Sequence, residues 1–317
     1  MLPIVEEMAL RGAITPKVAV EAMRDAFLAD GEGRSHVPAV INLDVPSAHG
    51  EFHIKTARID GVPTIAVKIA SGFYDNPAKG LPSGSGLMVV FDASTGLPAA
   101  LLLDNGFLTD IRTGAAGALA ADVLARRSIP VVGVLGSGIQ ARFQIQCLRE
   151  VRPIQRIVAW SPNARHLEAY LSEMRAEGLS AEPRGTPEAV CREADLIITA
   201  TPAREPLVRA EWLRPGQHVT AVGSDAPGKQ ELDPACLARA DLVVVDRLTQ
   251  CAAFGELRHA IERGAIRADG VRGELGEVVA GVKAGRTRDD QVTIADLTGV
   301  GFQDTAIAAR ALQLVDL

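Results

Sequence analysis

The segment that most constrains this chain is Val131-Val132-Gly133-Val134-Leu135, followed at once by Gly136-Ser137-Gly138-Ile139-Gln140-Ala141. An unbroken apolar run of this length is the pattern of a strand buried on both faces, as in a parallel sheet covered by helices. Glycines placed between such a strand and a helix allow a tight turn and bring backbone N–H groups close to a pyrophosphate. Ala141 stands where the usual fingerprint has a third glycine. Glycines here could also serve packing alone; the strand–turn–helix setting favours a dinucleotide, with Gly136, Gly138, Ile139 and Gln140 as its contacts.

Strand and helix patterns alternate beyond this point. Ile157 to Trp160 precedes a helix from Asn163 to Glu177, and Leu196 to Ala200, Val219 to Val222 and Leu242 to Val245 read as further strands. The alternation predicts a doubly wound α/β domain over 120–297. NAD-selective folds commonly end the second strand in an acid that binds the ribose 2′-hydroxyl. Here that end is Trp160-Ser161-Pro162-Asn163, without a carboxylate, so Ser161 faces the ribose and NAD is not distinguished from NADP. Topology puts Thr201, after the fourth strand, on the nicotinamide side.

Before residue 120 the pattern differs. Thr15-Pro16 starts a helix whose apolar face is expected from Val18, Ala22, Phe27 and Leu28. Short β-type runs follow at Val37 to Leu43, Phe52 to Ala57, Thr64 to Ile69, Leu87 to Phe91 and Ala99 to Leu103, with a turn at Asp92 to Gly96. They predict an antiparallel or mixed sheet. Thr109 to Leu124 reads as an Ala-rich helix capped by Thr109, with small residues that permit close approach to a neighbour. A last helix, from Thr298 onward, has no sheet of its own and is expected to pack back on the first domain.

Composition excludes several functions. Net charge is −6 with the two signs interspersed, which argues against nucleic acid or an anionic membrane as partner. No run approaches a membrane-spanning length, and Glu6 and Glu7 interrupt the early apolar stretch, so no signal peptide is expected. The four cysteines are widely spaced and read as buried, reduced thiols of a cytoplasmic protein. The six histidines form no HxxxH or HExxH, and no metal site is expected.

Several ordered motifs together resemble the ornithine cyclodeaminase/mu-crystallin family over nearly the whole chain. They are Lys68 with Asn76-Pro77 and Gly80 to Ser83, Leu108 to Ala116, Gly136 to Ala141, Gly223 to Lys229, Glu274 to Gly281, and Gly299 to Asp304. The resemblance implies a Rossmann-type doubly wound parallel sheet plus a discontinuous α+β substrate-binding domain, 1–119 with 298–317, through which two subunits form a homodimer. It implies NAD(H) or NADP(H) as cofactor, an amino or imino acid as substrate, and hydride exchange at the α-carbon.

By the same resemblance Lys68 and Arg112 hold the substrate α-carboxylate, Thr298 borders the substrate, and Asp225 is the catalytic acid/base. Ser83, Arg112, Thr113, Gly223, Ser224 and Lys229 join the cofactor contacts. From the residues alone, Asp225 ahead of Pro227-Gly228 also fits a turn, and Arg112 also fits pairing with Asp110. The chain departs from the ornithine cyclodeaminase pattern at three places: Val40 replaces an arginine, and His53 and Lys55 replace a Glu and a Met. Lys55 would repel the distal ammonium of ornithine and suit a second acidic group. His53 and Lys55 share one strand face, which fits either a substrate site or a solvated face. Three activities follow: an imine reductase or amino-acid dehydrogenase, favoured here; a cyclodeaminase; and a ligand-binding protein without catalysis.

Overall fold

The computed structural model describes residues 2–315, which form two compact units, 2–112 with 300–315 and 113–299.

Unit 1 holds β1 (Ile4–Glu6), α1 (Glu7–Ala13), α2 (Pro16–Gly31), β2 (Ser35–His36), β3 (Ile41–Val45), β4 (Gly50–Ile59), β5 (Thr64–Phe73), β6 (Gly84–Asp92) and β7 (Pro98–Leu103). The helix α3 (Phe107–Leu124) begins in it. The sheet runs β1-β7-β6-β5-β4-β2, with β3 also on β4. Only the β1–β7 pairing is parallel, so the sheet is mixed.

Period-two alternation sorts its strands into two faces. Ala57, Ala66, Met88, Val90, Ala100 and Leu102 are buried on one face. On the other, Phe52, Ile54, Val67, Ile69, Leu87 and Leu101 are only half-buried. The inner face is covered by the chain's last helix, Gly301–Leu314, called α11 below, which packs on β4, β5 and α2. Phe302 meets Phe27 edge-on, with ring centroids 5.0 Å apart. Thr305 donates from Oγ1 to the Ala57 carbonyl (2.7 Å) and accepts from the Ala66 N–H (3.2 Å), fixing the helix over the β4–β5 seam.

Unit 2 contains β8 (Val131–Leu135), α4 (Ile139–Arg149), β9 (Arg156–Trp160), α5 (Ala164–Ala176), β10 (Ser180–Pro183), α6 (Pro187–Glu193), β11 (Leu196–Thr199), β12 (His218–Ala221), α7 (Pro234–Arg239) and β13 (Leu242–Val245). It continues through α8 (Leu248–Phe254), α9 (Glu256–Glu262), β14 (Gly273–Glu274), α10 (Leu275–Val279) and β15 (Thr293–Asp296). All eight strands are parallel, in the order β10-β9-β8-β11-β12-β15-β13-β14. The order reverses at β8, the switch point where doubly wound sheets open a crevice. The small residues of α3 serve close packing: a Cβ at Gly114 would lie 2.5 Å from the Phe143 carbonyl oxygen.

Some local expectations need correction. In α2, Ala22 and Phe27 are buried as expected, but Val18 is half-buried and Leu28 exposed, and Ala19, Val20, Met23, Ala26 and Ala29 complete the core stripe. Val37 to Val40 is not strand, because Pro38 has no N–H for a ladder. Thr109 lies inside α3, and its first turn is capped by Asp104, which accepts the Leu108 N–H at 2.8 Å. The last helix begins at Gly301, not at Thr298. The strand β15 was not anticipated; Pro- and charge-free only from Gln291 to Ala295, it is too short to show a period.

Candidate functional site

Lys55 on β4 and Lys68 on β5 are direct cross-strand partners on the inner face. Both are buried, with 7% and 2% exposure, so Lys55 does not belong to a solvated face. Arg112, also buried, projects from the second turn of α3. All three converge on Asp304, carried by the first turn of α11 and fully buried. Arg112 Nε donates to Asp304 Oδ1 at 2.9 Å, its Nη1 donates to Gln303 Oε1 at 3.1 Å, and Lys68 Nζ lies 3.5 Å from Asp304 Oδ2.

Burial alone would raise the Asp304 pKa, but the fields of Lys68, Arg112 and Lys55 outweigh it and hold the carboxyl below its ordinary value. Asp104 responds oppositely. Burial pushes it up to about 6 against the N–H groups of Leu108 and Gly106, and the charge of Asp304 adds to the rise. These five groups carry one net positive charge with Asp104 ionised and two with it protonated. Gln303 Nε2, buried beside them, has no hydrogen-bond partner among the described residues. A cluster of this sign with an unused donor is suited to an incoming carboxylate.

His53, on the same strand face as Lys55, has a different setting. Its Nδ1 lies 2.6 Å from Asn42 Oδ1 and its Nε2 3.3 Å from Glu51 Oε1. The structure thus gives His53 two polar neighbours on β3 and β4 and groups only Lys55 with Lys68, Arg112 and Asp304.

In unit 2 the glycine turn follows β8. Gly136 has φ of +119°, and a Cβ there would stand 2.5 Å from the Ala200 carbonyl oxygen, so the turn requires glycine. Gly138 is the N-cap of α4 and offers no side chain to its first N–H groups, while a Cβ there would meet no atom within 4 Å. An uncapped helix start beneath open space fits a pyrophosphate. Ile139, half-exposed, opens the helix and Gln140 is half-buried behind it. Ser137 and Ser161 join the ends of β8 and β9 through their hydroxyls at 2.9 Å. Asn163 is occupied as the cap of α5, accepting the His166 N–H at 3.0 Å.

Thr201, Gly223, Ser224, Asp225 and Lys229 gather at the ends of β11 and β12. Asp225 is half-exposed and accepts from Lys229 Nζ at 2.7 Å. Ser224 Oγ donates to the Lys229 carbonyl at 2.8 Å. The Thr201 hydroxyl and N–H both donate to Glu231 Oε1, at 2.7 and 2.6 Å. Thr298 is buried apart from these: its hydroxyl and N–H donate to Asp246 at 3.0 and 2.8 Å, and Gln250 Nε2 donates to its Oγ1 at 2.9 Å. In unit 1, Ser83 is exposed and its carbonyl accepts the Phe73 N–H at 2.7 Å. Thr113, half-buried, follows Arg112 in α3. Among the described residues no group of three or more His, Cys, Asp or Glu is placed to hold a metal. No helix there is long and apolar enough to cross a membrane, and the four cysteines are buried outside any disulfide.

Sequence reasoning gave no role to Asp304, Gln303, Asp104 or Glu231. Asp304 lies 192 residues from Arg112 in the chain and is the single carboxylate of its helix. The signal available was a carboxylate on the buried stripe of that helix, since an acid is rarely fully buried without a partner.

Residues 5–313 match the model of the ornithine cyclodeaminase/mu-crystallin family. A Sinorhizobium fredii protein carrying the name "uncharacterized cyclodeaminase" is 49% identical over 93% of this chain and 90% of its own. The archaeal alanine dehydrogenase dimer with bound NAD superposes with a TM-score of 0.92 and 34% identity, over 98% of this chain and 95% of that one. The iminosuccinate reductase of Paracoccus denitrificans in complex with NAD+ gives 0.91 and 32%, over 100% and 99%. With the doubly wound sheet and the mixed sheet both in place, the chain belongs to the ornithine cyclodeaminase/mu-crystallin family.

Proposed function

We propose that this protein is an NAD(P)H-dependent imino-acid reductase, able to run in reverse as an amino-acid dehydrogenase, with acidic imino acids such as iminosuccinate as its leading substrate class and cyclic ones such as pyrroline-2-carboxylate next. The observation that carries this reading is the convergence of buried Lys55, Lys68 and Arg112 on the single carboxylate of Asp304.

Arg112 offers a planar fork and Lys68 a point charge, which together hold an α-carboxylate and orient its α-carbon. Asp304 fixes both cations in place before the substrate arrives, so little reorganisation is needed on binding. Lys55 supplies the third charge, for a second carboxylate. Gly136, Gly138 and the start of α4 would hold the pyrophosphate of a dinucleotide, which when bound would supply hydride for the imine carbon. Asp225 gives the accompanying proton to the nitrogen, and takes it back in the reverse direction, with Lys229 holding its charged form. The absence of a carboxylate at Ser161 leaves NADP as well as NAD acceptable. The archaeal relative is a dimer, and the half-buried apolar face of the unit 1 sheet is where a second copy would pack.

The test follows nicotinamide absorbance with oxaloacetate plus ammonia, with pyruvate plus ammonia or methylamine, and with cyclic imino acids, each with NADH and NADPH. Oxidation of either cofactor with an imine is the expected result. A second reading, a cyclodeaminase, is favoured by the name of the relative at 49% identity. Ammonia release from ornithine or lysine without net change in the cofactor would establish it and displace the reductase.

A further inference from the structure

Unit 2 buries Glu231 completely, and its carboxylate receives four hydrogen bonds. Oε1 accepts the Thr201 N–H (2.6 Å) and hydroxyl (2.7 Å); Oε2 accepts the Thr199 hydroxyl (2.6 Å) and the Gly223 N–H (2.9 Å). Thr199 ends β11 and Thr201 lies in the turn after it. Gly223 follows β12 and opens the loop on which Asp225 sits, and Glu231 closes that same loop. One side chain therefore locks the neck of the Asp225 loop and ties it to the end of β11.

The packing at this neck is tight. A Cβ at Gly223 would lie 2.5 Å from Glu231 Cδ, and would also collide with the Thr201 carbonyl oxygen. The backbone of Glu231 is held in turn by Glu256, which accepts the N–H of Glu231 at 2.7 Å and of Leu232 at 3.0 Å. Ser224 within the loop and His259 on α9 both contact the Lys229 carbonyl, each at 2.8 Å, and Lys229 reaches Asp225. A chain of direct contacts thus runs from the buried carboxylate to the exposed one.

We propose that Glu231 is the positioning residue for Asp225, setting where that carboxylate and its Lys229 partner stand. This rests on the reading of Asp225 as the proton-handling group. A glutamine cannot replace it: its NH2 would face the N–H of either Thr201 or Gly223, and a backbone N–H cannot turn away as a hydroxyl can. Burial drives the Glu231 carboxyl up to about 7 against these four donors.

The experiment compares Glu231→Gln, Thr199→Val and Asp225→Asn with the parent, all with NADH present. It uses the imine found active in the absorbance panel and, separately, hydrogen–deuterium exchange over 223–231. For Glu231→Gln we expect NADH affinity within about 5-fold of the parent, kcat lower by about 10- to 100-fold, and a displaced Asp225 limb of the pH–kcat profile. Exchange should quicken in 223–231 ahead of the rest of unit 2. Thr199→Val, which keeps the carboxylate and deletes one donor, should move the same limb less, and it stands in if the glutamine variant fails to fold. An unmoved limb and unchanged exchange in a folded variant overturn the inference while leaving Asp225 intact. Parent-like turnover in Asp225→Asn instead overturns the reading of Asp225, and this inference with it.

Discussion

Under the proposed function, Lys55 is the residue that would separate the substrate classes most directly. As a charged donor to a second carboxylate it would be worth about 1.5–3 kcal/mol, roughly 10- to 100-fold in affinity. Lys55→Met should therefore raise KM for an acidic imine by about that factor and leave a monocarboxylate cyclic imine within about 3-fold. Equal losses on both would place Lys55 at the shared α-carboxylate. Asp304 has a different signature, because it balances the buried cations. Asp304→Asn leaves buried like charges facing one another, which should lower stability by about 3–5 kcal/mol, read as a reduced urea midpoint. An unchanged midpoint would show that the cluster is already neutralised by other means.

Among the elements, α11 places Asp304, and its entry depends on Gly301. A Cβ there would lie 2.6 Å from the Thr56 carbonyl carbon, with the carbonyl oxygen closer still. Gly301→Ala should cost about 1–3 kcal/mol and weaken substrate binding by displacing Gln303 and Asp304; preserved stability and KM would mean the helix can lift without consequence. In the parallel sheet, His218 is wholly buried between Thr220 and Thr293. Burial depresses its pKa to about 3, helped by Arg286. The unfolded chain therefore takes up a proton below about pH 6.5 that the folded chain refuses, so the contribution of this side chain falls as pH drops, by about 2 kcal/mol at pH 5. The raised carboxyls of Asp104 and Glu231 act in the opposite sense, so His218 is read as a difference: between pH 7.5 and 5.0 the urea midpoint of the parent should fall relative to that of His218→Gln, and parallel midpoints would refute the assignment.

These elements also mark what could be read beforehand. The buried β8 run, the glycine turn, the Thr15 cap and the Ala-rich α3 were legible, because each is a local pattern with a local cause. Lys55 beside Lys68 depended on strand register, and Asp304 on a helix returning from the far end of the chain. Neither partnership can be read from local spacing, which at Asp304 shows only a carboxylate on a buried stripe. Asp104 replaced Thr109 as a cap because a loop residue outside the helix, not the first polar residue within it, meets the free N–H groups.

For the whole molecule, the half-buried apolar face of the unit 1 sheet predicts self-association. Phe52, Ile69 and Leu87, half-buried on neighbouring strands, form a contiguous apolar patch, the kind that marks an interaction surface. Sedimentation should give a dimer, and Leu87→Asp should shift it toward monomer without unfolding unit 2. A monomeric parent would remove the second copy from the proposal. The return of α11 carries one more consequence, for synthesis. The sheet of unit 1 is translated before unit 2, but its inner face stays uncovered by α11, and Lys68 and Arg112 lack Asp304, until α11 leaves the ribosome. Unit 2 has its whole parallel sheet translated before that moment. The domain started first is thus the one completed last, and a nascent chain halted just short of Gly301 would expose a bare apolar sheet to chaperones while already holding the glycine turn.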